Sequence, residues 1–136
     1  MQSYHDKAMD TMVKGWTRID MLLALYGRTI ASFRAAKSAK ESGDIVMLGT
    51  KCLEANRLLL GLHSGLNTDE YPIAVNVARL LNFVSLRLEE QNFDEGVYFL
   101  EKLQNSFSQV RDEAAELERS GKIPPLVNAS SLDTTA

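Results

Sequence analysis

The sequence predicts an all-α protein: an antiparallel up-down four-helix bundle with a short N-terminal segment and a disordered C-terminal tail. Three observations support this. Apolar residues recur at alternating steps of three and four in four successive stretches, the period of a helix with one buried side. Residues that cap and terminate helices fall between those stretches, and no alternation of period two competes with them. The 136 residues, 45% of them hydrophobic, suffice for one domain with its own core. The expected organisation is an N-terminal segment over 1–15, a bundle over 16–121 and a tail over 122–136.

The first helix is predicted over 17–42, with Ile19, Leu23, Tyr26, Ile30 and Phe33 along one side. Gly43 can take the left-handed conformation that closes it, and Asp44 can accept the free amides of the next. The second, over 44–66, carries Ile45, Leu48, Cys52, Ala55, Leu59, Leu62 and Leu66 as an unbroken seam. Residues 67–72 form a turn-rich connection whose Pro72 suits the first turn of a third helix. That helix carries Ile73, Val77, Leu80, Val84 and Leu88. Asn92-Phe93-Asp94 interrupts the pattern, and Asp94 is expected to cap a fourth helix bearing Gly96, Leu100, Leu103, Phe107, Val110, Ala114 and Leu117, closed by Gly121 and Pro124-Pro125. Helices of about 20 to 26 residues are about 30 to 39 Å long, similar enough to lie side by side, and short connections favour antiparallel neighbours.

The ends read differently. Residues 127–136 are small and polar and cannot offset their ordering entropy. Tyr4, Met9, Met12 and Val13 stand at near-helical spacing ahead of Gly15, which suggests a short amphipathic segment able to dock on the bundle. A single cysteine, Cys52, forms no internal bridge and fits a reducing compartment. No apolar run approaches the roughly 18 residues of a membrane span, and the N-terminus lacks a signal-peptide core, so a cytoplasmic protein is expected. The formal charge of −3 gives no support for nucleic acid as a partner.

Catalytic and metal chemistry are not encoded in any recognisable pattern. Neither His5 nor His63 follows a Glu by three residues, so the Glu-x-x-His pairs of di-metal bundles are missing. Cys52 lies on the predicted seam without a neighbouring His, and there reads as a small hydrophobe. The eight glycines are scattered rather than gathered in a phosphate loop. Glu89-Glu90 and Asp112-Glu113 are sequence neighbours that point about 100° apart on a helix, so they read as solvated faces. No enzyme, no metal and no cofactor is expected.

The sequence does offer more apolar surface than one core needs. Val46, Leu53 and Leu60 lie beside the seam of the second helix, and Val75, Phe83 and Leu86 lie off the stripe of the third. Wide faces are what central helices of a compact bundle require for two neighbours. The functional alternative is a groove for an amphipathic partner helix, with Val46, Leu53, Leu60, Phe83 and Leu86 as its anchors.

The run Leu22, Leu23, Leu25, Tyr26, Ile30, Ala36, Lys37, Gly43, Asp44, Ile45 resembles, without a gap, the first hairpin of the flagellin export chaperones, the FliS family. The resemblance continues through Ala55, Leu62 and Leu66, then Ile73, Ala74 and Asn76, then Arg87, Leu88 and Asn92. Gly15-Trp16-Thr17-Arg18 departs from the family's Thr-Ala-Ser-Pro, and Gly27-Arg28 from its Asp-Gly. What the resemblance implies is a cytoplasmic chaperone that binds the disordered C-terminal segment of flagellin and prevents premature polymerisation before export. Other flagellar export components are further implied partners. It also implies an N-terminal cap over the binding surface, for which Tyr4, Met9 and Met12 are the residues in place. The competing expectation is a helical scaffold or regulator that self-associates through the same faces.

Overall fold

A computed structural model describes residues 17–66 and 72–121. They form five α-helices: α1 Arg18–Ser42, α2 Ile45–Ser64, α3 Pro72–Glu89, α4 Phe93–Gln109 and α5 Arg111–Arg119. No strand occurs among the described residues. The described residues divide into two compact units, one of 24–106 and one of 17–23 with 107–121.

Within residues 24–106 every adjacent helix pair runs antiparallel. The Leu25 side chain of α1 lies against Gly61 of α2, and the Ser32 hydroxyl bonds to the Glu54 carboxylate, so numbers rise on one helix as they fall on the other. Between α1 and α4 the same holds: Gly27 lies by Gln104, Arg34 pairs with Glu101, and Lys37 donates to Asp94 at 2.8 Å. Cys52 and Asn56 of α2 share a cleft with Ser85 and Leu88 of α3, and Phe83 of α3 meets Phe99 of α4 edge-on at 5.0 Å. This unit is a four-helix bundle. Its centre holds Tyr26, Ile30, Phe33, Ala55, Leu59, Leu62, Leu81, Val84 and Leu100. Gly96 of α4 is buried against Phe33 and lets the two helices close on each other. Desolvation pushes the buried Tyr26 phenol upward, so it stays neutral.

The turns are chemically explicit. Gly43 sits at φ +76°, the Asp44 amide donates back to the Ala39 carbonyl at 2.9 Å, and the Asp44 carboxylate accepts the Met47 amide at 3.0 Å. One glycine thus ends α1 and one carboxylate starts α2. At the end of α3 the Asn92 amide donates to the Arg87 carbonyl at 2.8 Å in the same manner. Here, however, the left-handed residue is Gln91, at φ 57°.

The smaller unit ties the start of α1 to α5. Asp20 accepts both the amide and the hydroxyl of Thr17 at 3.1 Å, and Arg111 grips it through two hydrogen bonds of 2.8 and 3.0 Å. Those bonds hold the Asp20 carboxyl at about 2, the guanidinium contributing most. The buried Glu118 carboxylate accepts the Arg18 amide at 3.0 Å, satisfying one of the free donors of the helix start.

Several sequence expectations are corrected. The single fourth helix is two helices: at Val110 the backbone turns to φ −105°, ψ 9°, and its amide reaches only to Phe107, three residues back. The stretch before it, Asn105-Ser106-Phe107-Ser108, consists of weak helix formers, and the ion pair of Arg111 with Asp20 fixes the chain just after the break. Asp94 does not cap α4. Asn92 does so by accepting the Glu95 amide at 3.4 Å, while Asp94 is taken by Lys37. Ile45, Ile73, Leu80, Val110 and Leu117 are exposed although the stripes included them. On α3 the buried line is Ala74, Val77, Leu81, Val84 and Leu88, because Leu80 and Leu81 compete for one slot and Leu81 faces the centre. Cys52 is half-buried, and desolvation raises its thiol, which disfavours the reactive thiolate.

Candidate partner-binding surface

The helical turn of about 100° per residue places Val46, Leu53 and Leu60, each seven residues apart, on one line along α2. That line is opposite the buried Ala55, Leu59 and Leu62, and its members are exposed: Val46 by 80%, Leu53 by 52% and Leu60 by 59%. Gly49 lies on the same strip with nothing within 4 Å of the position a Cβ would occupy, which leaves a low point between Val46 and Leu53. Across from this line, Leu86 is 50% exposed on the outer face of α3, and Val75 is half-buried on the same helix about three turns earlier.

Between the two helices runs an open cleft of about 450 Å³, lined by Cys52, Leu53 and Asn56 from α2 and by Ser85, Leu88, Glu89 and Gln91 from α3. Its floor is apolar and its rim is polar. Lys51 and Glu54 neutralise each other at 3.1 Å on the side of α2 turned toward α1, and Lys51 is the main cause that lowers the Glu54 carboxyl. Arg87 bonds Glu90 at 3.1 Å.

The five residues expected to form one groove do not share one line. Val46, Leu53, Leu60 and Leu86 face outward from α2 and α3, but Phe83 is half-buried and turned toward α4. Its ring meets Phe99, and the Arg87 guanidinium lies 4.2 Å from its centre. Phe99 in turn meets Tyr98 at 5.2 Å, and the Lys102 ammonium lies 4.9 Å from the Tyr98 ring. Phe83 therefore anchors an aromatic seam between α3 and α4. Tyr4, Met9 and Met12 lie outside the described residues.

Sequence inspection passed over Met47 and Tyr98, both exposed. Met47 directly follows the Ile45-Val46 pair, and an apolar run at a helix start was the available signal; Tyr98 had none beyond its bulk. Among the described residues no group of three or more His, Cys, Asp or Glu side chains could hold a metal ion. No helix among them is long and apolar enough to cross a membrane. The arrangement suits non-covalent capture of an apolar helix face.

No curated protein and no solved structure matches the chain. A family model described as flagellar protein FliS matches residues 1–120, a span that takes in all five helices and both sides of the cleft. The chain therefore belongs to the FliS family of flagellar export chaperones, a chaperone family rather than an enzyme family.

Proposed function

We propose that this protein binds the disordered C-terminal segment of flagellin, folding it as an amphipathic helix onto the outer faces of α2 and α3 and so preventing premature polymerisation before export. The observation that carries this is the exposed line Val46, Leu53 and Leu60 beside Leu86, held on the rigid helices of a family member. Full burial of a Leu or Val side chain is worth about 1.5–3 kcal/mol, so the half of Leu53, Leu60 and Leu86 still in water leaves roughly 1 kcal/mol each for a partner to gain. Val46, more exposed, offers more.

Ordering the segment costs about 2–5 kcal/mol and offsets much of that gain, which keeps the complex releasable at the export machinery. We propose further that the N-terminal segment with Tyr4, Met9 and Met12, which the family resemblance offers as a cap, competes with the client for this surface. Isothermal titration of the full chain with the flagellin C-terminal segment tests the proposal. A one-to-one complex is expected. A homo-oligomer that ignores the segment would replace the chaperone reading with that of a self-associating scaffold.

A further inference from the structure

Taking the outer faces of α2 and α3 as the flagellin-binding surface proposed above, we infer that this surface fixes the direction of its guest. The bound helix runs parallel to α2, with basic side chains near its N-terminal end and acidic ones near its C-terminal end.

The charges along the cleft are sorted by sign. Asp44 caps the start of α2 with an exposed carboxylate, and Glu89, exposed on α3, lines the cleft at the level of Leu53. That end is acidic. Arg57 is exposed on α2 between Leu53 and Leu60, and Arg79 is exposed on α3 one heptad before Leu86, hence on the same outer face. Because α3 runs against α2, the ten residues between Glu89 and Arg79 carry Arg79 about 15 Å along the cleft, toward the Ser64 end of α2. That end is basic.

Of the remaining charges on α2 and α3, Lys51 is paired with Glu54, and Arg87 with Glu90 of the following turn. Arg57, Arg79 and Glu89 enter no ion pair among the described residues. A helix laid in this field has a partial positive charge at its N-terminus and a negative one at its C-terminus, so its dipole favours the N-terminus beside Asp44 and Glu89. Side chains of matching sign add to the same preference. Electrostatics of this kind set register and direction more than affinity.

The experiment uses the full chain and the flagellin C-terminal segment in two altered versions. One carries two Lys before its apolar stretch and two Glu after it; the other carries them reversed. At low salt the first version is expected to bind about fivefold tighter, as two or three exposed charge pairs provide. The difference should vanish near 1 M salt, where the Debye length falls to about 3 Å.

In the chain carrying Glu89→Arg and Arg79→Glu, Asp44 and Arg57 are each left beside a charge of opposite sign, so the preference should disappear, and circular dichroism should show parental helicity because both positions are exposed. Equal affinities of the two versions for the parent chain, or a preference that survives the charge swap undiminished, would overturn the inference and leave the proposed function standing. Failure of the unaltered segment to bind at all would overturn both.

Discussion

Gly96→Ala tests how closely α1 and α4 pack. A Cβ at this position would stand 2.4 Å from Cε2 and 2.8 Å from Cδ2 of Phe33, against the 3.5–4.0 Å or so of an ordinary carbon contact. The ring would have to retreat by more than about 1 Å to restore that contact. It has no room to do so, because Phe33 is fully buried and stands edge-on to Phe93 with the ring centres 6.4 Å apart. Overpacking of this kind costs about 1–3 kcal/mol, while replacing a mid-helix glycine by alanine returns up to about 1 kcal/mol of helix propensity. The steric loss wins.

A net loss of about 1–2 kcal/mol is expected, which lowers the melting midpoint by roughly 3–10 °C for a chain of this length. Thermal melting followed by circular dichroism measures it. A second variant, Phe33→Leu, removes the obstructing ring. Phe33→Leu and Gly96→Ala together should therefore cost less than the sum of the two alone, by about 0.5 kcal/mol or more. A Gly96→Ala protein that melts at or above the parent would refute the close approach, and additive effects in the double variant would show that Phe33 is not the obstacle.

Leu53→Asp should leave the melting curve near the parent's yet weaken the flagellin-segment complex at least about tenfold by titration, whereas Leu59→Asp, at a fully buried position, should lose several kcal/mol of stability. Gln91→Gly should raise stability by about 1 kcal/mol in chemical denaturation, because the left-handed conformation at φ 57° strains a residue with a Cβ and costs glycine nothing. Asp20 is held at about 2 in the folded chain, below its unfolded value, so its contribution is complete above the ordinary carboxylate range near 4 and is lost as pH falls toward 2. Asp20→Asn should therefore be less stable than the parent at neutral pH, and the gap should close across that acid window. Removing residues 1–13 should tighten binding of the flagellin segment, since a cover that competes for the surface lowers apparent affinity by the fraction it occupies.

Periodicity and capping are local, and what they encode was legible without a structure. The step pattern of Ile19, Tyr26, Ile30 and Phe33 marked the buried side of α1, and Gly43-Asp44 marked its reversal, because a left-handed glycine and a capping carboxylate act within one turn of chain. The outward line of Val46, Leu53 and Leu60 was likewise visible as an apolar heptad displaced from the seam. What only the tertiary structure decided depends on which neighbour each face meets. Leu80 and Leu81 carry nearly the same local signal, and packing against the other helices buried Leu81 and left Leu80 in water. Phe83 looked like a groove residue until Phe99, brought beside it from α4, turned it into a seam between α3 and α4. The division of the fourth helix at Val110 follows from Arg111 reaching Asp20, 91 residues away in sequence, a contact no local pattern announces. Hydrophobic period fixes which residues leave water together; the partners across the core, through ring edges and ion pairs, fix which of them stay exposed.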